Sequence, residues 1–160
     1  MATNGYMDVA RPGLLNGLQE FIESKIAAVA IPFGSPVFVK NGNANEVFLA
    51  DDTDATRRFF GVAVASHRSF VSGSGEYPID DQVNVLTRGQ IWVKVKAGET
   101  GLANKPAYII DLAADADANK FTAVTTDNLD SGGFFRDGPY VFTFDGASVT
   151  LAVVEVRGPK

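Results

Sequence analysis

Between Val83 and Lys96 the chain alternates. Odd positions carry Val83, Val85, Thr87, Gly89, Ile91, Val93 and Val95. Even positions carry Asn84, Arg88, Gln90, Lys94 and Lys96, with Leu86 and Trp92 as apolar exceptions. Successive side chains of a β-strand point to opposite faces, so this pattern predicts one face in a core and the other mostly in water. The parity survives across Gly89, which leaves two forms open: one long strand bent at Gly89, or two strands meeting at a tight corner. Shorter segments follow the same logic. Pro36–Lys40 ends at the turn pair Asn41-Gly42, and Glu46–Ala50 follows it. The near-continuous apolar run Phe59–Ala65 predicts a strand covered on both faces. Ala107–Ile110 and Phe121–Thr125 read as short strands, Asp111–Lys120 as an Ala/Asp loop and Leu129–Gly133 as a flexible loop. Tyr140–Phe144, Asp145-Gly146 and Ser148–Val156 predict a hairpin, because Asp-Gly supplies the positive φ angles of a tight turn. The sum is about nine or ten short strands at fairly even spacing, the pattern of an all-β fold: a compact β-sandwich or barrel with an extended N-terminal arm.

The arm is placed at residues 1–29 and the β-domain at 30–160. Met1 to Asn16 are rich in Gly, Asn and Asp and are broken at Pro12-Gly13. Leu18, Phe21, Ile22 and Ile26 fall at helical spacing, which predicts a short amphipathic helix over 18–25. An extended arm with occasional apolar anchors is the other reading, and both stay open. Either form can dock on a neighbouring subunit without belonging to the core; a merely frayed terminus is the plain alternative.

Composition narrows the chemistry. A chain of 160 residues suits one domain plus an arm, and at that size it buries roughly 70% of its unfolded surface without disulfide or metal. It has no Cys, which excludes thiolate metal sites and Cys nucleophiles and fits folding in a reducing cytoplasm. The net charge of −5 and pI of about 4.8 argue against a general nucleic-acid or membrane binder. The apolar run Ile26–Phe33 is too short to span a bilayer, and no signal peptide is expected.

No catalytic set emerges. His67 is the only histidine, stands between Ser66 and Arg68 and reads as a solvated loop residue. Ser72-Gly73-Ser74-Gly75 lacks the spacing of a hydrolase elbow, and no phosphate-binding glycine motif is present. Two acidic clusters, Asp51/Asp52/Asp54 and Asp111/Asp115/Asp117, lack the glycine and distal Glu of a calcium loop and read as solvated loops. Neither a cofactor nor a metal is expected. Trp92, Tyr77, Tyr108 and Phe70 are candidates for stacking on a ligand. Trp92 shares its strand face with Arg88, Lys94 and Lys96, so that face is a contact surface for an acidic partner or an ordinary solvated face, or it is partly covered, since Leu86 shares it.

Several segments taken in order resemble a known family. They are a Gly/Pro-containing arm, Ile31-Pro32-Phe33-Gly34-Ser35-Pro36-Val37, Phe59-Phe60-Gly61-Val62-Ala63, Val83 to Val93, and a Gly turn before Ala107-Tyr108. Over roughly residues 10 to 110 this order resembles the structural cement, or capsid decoration, proteins of tailed bacteriophages. The C-terminal third fits less well. The resemblance implies a non-enzymatic protein of the virion, made in the host cytoplasm. It would bind the outer surface of the phage head as a homotrimer and stabilise contacts between major capsid proteins, with no nucleic-acid or membrane partner. It carries over no catalytic motif. The candidate capsid or subunit contacts are Arg11, Pro12, Leu14, Leu15, Leu18, Phe21 and Ile22 on the arm and Arg88, Trp92 and Lys94 on the alternating strand. A carbohydrate-binding β-module of a virion spike or receptor-binding protein is the rival reading, and a small acidic hydrolase a third.

Overall fold

The computed structural model describes residues 10–17, 20–50, 53–66, 75–112, 114–144 and 146–159. It contains eleven strands: β1 (Phe21–Ala27), β2 (Ile31–Pro32), β3 (Pro36–Lys40), β4 (Asn43–Phe48), β5 (Arg58–Ala63), β6 (Glu76–Tyr77), β7 (Gln82–Lys94), β8 (Pro106–Ile109), β9 (Phe121–Thr122), β10 (Leu129–Phe144) and β11 (Ala147–Arg157). No helix occurs among the described residues. The all-β expectation holds, and the barrel is the form it takes.

One strand organises both halves. β7 is a single strand of 13 residues. Its first half pairs with β1 on one side and β5 on the other, and the order β1-β4-β3-β5-β7 closes through the β1–β7 pairing into a five-stranded barrel. Its second half pairs with β11, which continues through β10 and β8 to β9 as a wing. The bend falls at Gly89, whose φ of 134° lies where L side chains are rarely found. The odd face of β7 changes core there. Val83 and Val85 fill the barrel with Ala27, Val37, Val47 and Ala63. Beyond the bend Ile91 and Val93 fill a second core between the barrel's outer wall and the wing. Leu86, the apolar even position, also enters the second core and is fully buried.

β5 is buried on both faces, as its apolar run predicts. Phe59, Val62 and Val64 face the second core, while Ala63 faces the barrel. A register shift against β3 makes the change of parity. At Gly61 a Cβ would stand 2.3 Å from the Leu86 carbonyl oxygen, so only glycine permits this approach of β5 to β7. The short β2–β6 pair adds Ile31 and Tyr77 to the barrel core. Arg57 clamps the loop before β5 to the loop after β8. Its guanidinium reaches the buried Asp111 carboxylate at 2.5 Å and the Asp54 carbonyl at 2.7 Å.

Two sequence expectations change here. Residues 21–27 form a barrel strand and no helix. Phe21, Ile22 and Ile26 remain 63%, 45% and 38% exposed, so their helical spacing does not mark a face packed on a core. Leu129–Gly133 is the start of β10 and no flexible loop: Ser131 is buried and donates to the Ala107 carbonyl at 2.5 Å.

Candidate contact surface

The second core covers the inner face of the wing, where Ala152, Val154 and Val156 of β11 stand beside Ile91 and Val93. The alternate residues point outward. Register places Arg88 opposite Arg157, Gln90 opposite Glu155, Trp92 opposite Val153 and Lys94 opposite Leu151. This outer face is aromatic at one end and charged at the other.

At the aromatic end Trp92 is half-buried. Its ring lies 5.9 Å from that of Tyr140 and 6.3 Å from that of Phe142, and the latter two are 6.4 Å apart. These rings border a groove of about 420 Å³ whose walls include Leu14, Asn16 and Asp137. The Tyr140 hydroxyl donates to Asp137 Oδ1 at 2.9 Å. That bond, with some burial and the adjacent negative charge, raises the Tyr140 hydroxyl above 10.0.

At the charged end Glu155 lies between two arginines. Arg157 Nε donates to Glu155 Oε1 at 2.8 Å and Arg136 Nε to Oε2 at 2.5 Å. Burial pushes the Glu155 carboxyl up, but the bonds and charges of Arg136 and Arg157 outweigh it and hold the group below 4.5. The Arg157 guanidinium also lies 4.5 Å from the centre of the Phe134 ring.

The described part of the N-terminal segment is built onto this same strand. Gly13 N–H donates to the Trp92 carbonyl at 2.7 Å, Trp92 N–H to Leu14 at 2.9 Å and Asn16 N–H to Gln90 at 2.8 Å. Leu15 bridges to Ile91 and packs against the second core of its own subunit. Arg11 and Leu14 are exposed and Pro12 is half-buried. Of the sequence candidates, Leu14, Arg88, Trp92 and Lys94 gather on or beside the outer wing face. Phe21 lies on β1 across from Arg88, with Ile22 next to it. Leu18 lies outside the described residues.

The other candidates disperse. Tyr77 is sealed in the barrel core and donates to the Val64 carbonyl at 2.6 Å, so it is no stacking platform. Tyr108 is half-buried on β8. Asp54 Oδ1 accepts the Thr56 hydroxyl and N–H, which hold its carboxyl below 3.8, and Oδ2 pairs with Lys40 at 3.4 Å. Asp117 pairs with Lys120 at 2.5 Å. Among the described residues no three His, Asp or Glu side chains stand together as a metal site. Asp51, Asp52, His67, Phe70 and Ser72 to Ser74 lie outside the described residues.

Sequence reasoning missed Arg136, Tyr140, Phe142, Glu155 and Arg157. Strand parity through the Asp145-Gly146 turn was the available signal for Tyr140 and Phe142. Two register shifts in β10, between Phe135 and Asp137 and between Asp137 and Tyr140, break that parity further back.

A two-cored β-body whose wing carries a half-buried aromatic cluster at one end of its outer face and exposed guanidinium groups at the other has the build of a protein that works by contact. The comparisons agree. The family model described as "Structural cement protein (E217 gp24/Pam3 gp6)" matches residues 2–157, and the chain belongs to that family. Its role is that of cement in a phage capsid. Among solved structures a chain from "The capsid of Myoviridae Phage XM1" has a TM-score of 0.72 at 19% identity, covering 93% of this chain and 92% of that chain. The likeness shows that the two share a fold. No curated protein matches the chain.

Proposed function

We propose that this cement protein binds the outside of the phage head as a homotrimer, clamping neighbouring major capsid proteins through the outer face of its wing. The N-terminal segment engages the shell or a sister subunit. The work is mechanical and non-enzymatic. The observation that carries the reading is the half-buried Trp92, grouped with Tyr140 and Phe142 on a face whose reverse side already closes a core. Clustered aromatic anchors of this kind dominate contact energies. Several subunits, each making modest contacts, hold the shell by avidity.

The test is occupancy of capsids that lack the protein, measured by co-sedimentation. Trp92→Ala is expected to weaken binding by about tenfold or more, with Lys94→Glu, an exposed change that leaves the ring cluster intact, weakening it less. Removing residues 2–9 leaves the Ala10–Gly17 segment in place and is expected to lower occupancy further. Full occupancy by all three variants overturns the contact surface. Light scattering of the free and the capsid-released protein counts the subunits. The rival carbohydrate-binding reading draws on the same groove, where Asp137 and Asn16 stand beside the rings. Glycan binding that disappears in Trp92→Ala would favour it.

A further inference from the structure

We infer that Asn41-Gly42, the turn between β3 and β4, is a self-modification site. Asn41 loses its side-chain amide to attack by the Gly42 backbone nitrogen and becomes a mixture of aspartyl and isoaspartyl residues. The pair is the whole turn, since Lys40 and Asn43 are register partners across it. Both residues are exposed. Among the described residues neither the Asn41 side-chain amide nor the Gly42 N–H has a hydrogen-bond partner. Only the Asn41 backbone N–H is engaged, by Thr56 Oγ1 at 3.4 Å, and it takes no part in the attack. A Cβ on Gly42 would meet nothing within 4 Å, so the space around the attacking residue is open.

The reaction needs only water and base. The Gly42 N–H gives up its proton and the nitrogen bonds to Asn41 Cγ, closing a cyclic imide, with the gain in rate that fixed proximity gives an intramolecular attack. The Cγ–Nδ2 bond breaks and the side-chain nitrogen leaves as ammonia. Water then opens the ring. Opening at Cγ restores the backbone and leaves an aspartyl carboxylate; opening at the main-chain carbonyl routes the backbone through Cγ. Both products add a negative charge beside Lys40, which already pairs with Asp54. The isoaspartyl product also lengthens a turn whose length sets the β3–β4 register. Asn16-Gly17 is the same dipeptide in another setting. Asn16 is exposed as well, but its N–H donates to the Gln90 carbonyl at 2.8 Å and its side-chain amide to Gln90 Oε1 at 3.3 Å. Those bonds must open before its Cγ can turn to the Gly17 nitrogen. A third such pair, Asn4-Gly5, lies outside the described residues.

Timed incubation of the full chain at mildly alkaline pH, followed by peptide mapping with mass spectrometry and isoaspartate-specific enzymatic methylation, tests this. Asn41 is expected to convert about tenfold or more faster than Asn16 in the folded protein, because Asn16 must first give up two hydrogen bonds. In denaturant the two sites are expected to convert at the same rate, which traces the difference to the fold. Conversion at Asn41 is expected to slow at mildly acidic pH, where the Gly42 nitrogen keeps its proton. Asn41→Gln, an exposed change whose longer side chain cannot close the same ring, is expected to melt like wild type and to lose the modification at that turn. Folded protein in which Asn41 stays intact while Asn16 converts, or in which the two convert equally, overturns the inference. Conversion at Asn41 that is indifferent to pH overturns the mechanism and the inference with it.

Discussion

The barrel and the wing share β7 but are filled with different side chains. The five barrel strands contribute Ala27, Val37, Val47, Ala63, Val83 and Val85, all small, and the fully buried rings of that core, Phe33 and Tyr77, come from outside the five strands. The second core takes Phe38, Phe59, Phe121 and Phe135. The cause is geometric. A closed barrel of few strands has a narrow interior, whereas two packed sheets stand about 10 Å apart and accept rings. The difference also settles where a partner can touch. β5 spends both faces on packing within the subunit, one in the barrel and one in the second core. The wing spends one face on the second core, and its other face, where Leu151 and Val153 are buried and Trp92 half-buried, still leaves Arg88, Lys94 and Arg157 exposed.

The largest effect is expected where the two regions meet. Gly61→Val drives a branched side chain into the Leu86 carbonyl and Val85 Cγ1, which a Cβ alone approaches to 2.3 Å and 2.7 Å. Backbone must move, and a loss above ~4 kcal/mol is expected, read as failure to give a cooperative melt. Gly61→Val protein that melts like wild type would show the β5–β7 approach to be wrong.

Next come paired truncations, one in each region. Phe135→Ala in the second core is expected to cost about 3–5 kcal/mol and Val83→Ala in the barrel about 1–2 kcal/mol. Because β7 runs through both cores, each variant should shift one shared transition. Two separate transitions in Phe135→Ala, measured by near- and far-ultraviolet circular dichroism, would mean that the wing melts on its own.

The smallest effect lies on the outer face. The Glu155 carboxyl is lowered below 4.5 in the folded protein, so its contribution is present above that pH and lost as pH falls through the lower folded value. Glu155→Gln is expected to cost under about 1 kcal/mol at neutral pH and to flatten the acid limb of the stability curve. An acid limb identical to wild type would remove Glu155 from the account.

Much of the scaffold was legible because it rests on local pattern. Pro36–Lys40 is a strand to the residue, the Phe59 run is buried on both faces, and β10 and β11 pair as the last hairpin. β1 was harder, since its exposed Phe21, Ile22 and Ile26 mimic a helix stripe while its structure is set by pairing with β7, far along the chain. The contact surface was legible only on β7. Arg157 comes to stand opposite Arg88, and Arg136 meets Glu155, through pairings between distant strands, and the β10 register shifts hide the facing of its side chains from any count of two.

The closure of the barrel by β1 against β7 has a consequence for how the chain is made. β1 leaves the ribosome early, yet both neighbours of its pairing, β4 at Ile26 and Ala27 and β7 along most of its length, are translated later. Until Gln82 to Arg88 emerge, the strand has no antiparallel partner, and its apolar side chains face water. Such long-range pairing makes folding slow and leaves an unpaired edge open to the same edge on another nascent chain. Glu23 and Lys25, charged residues among Phe21, Ile22 and Ile26, stand where they discourage that premature match. The last seam of the barrel to close is therefore its first strand.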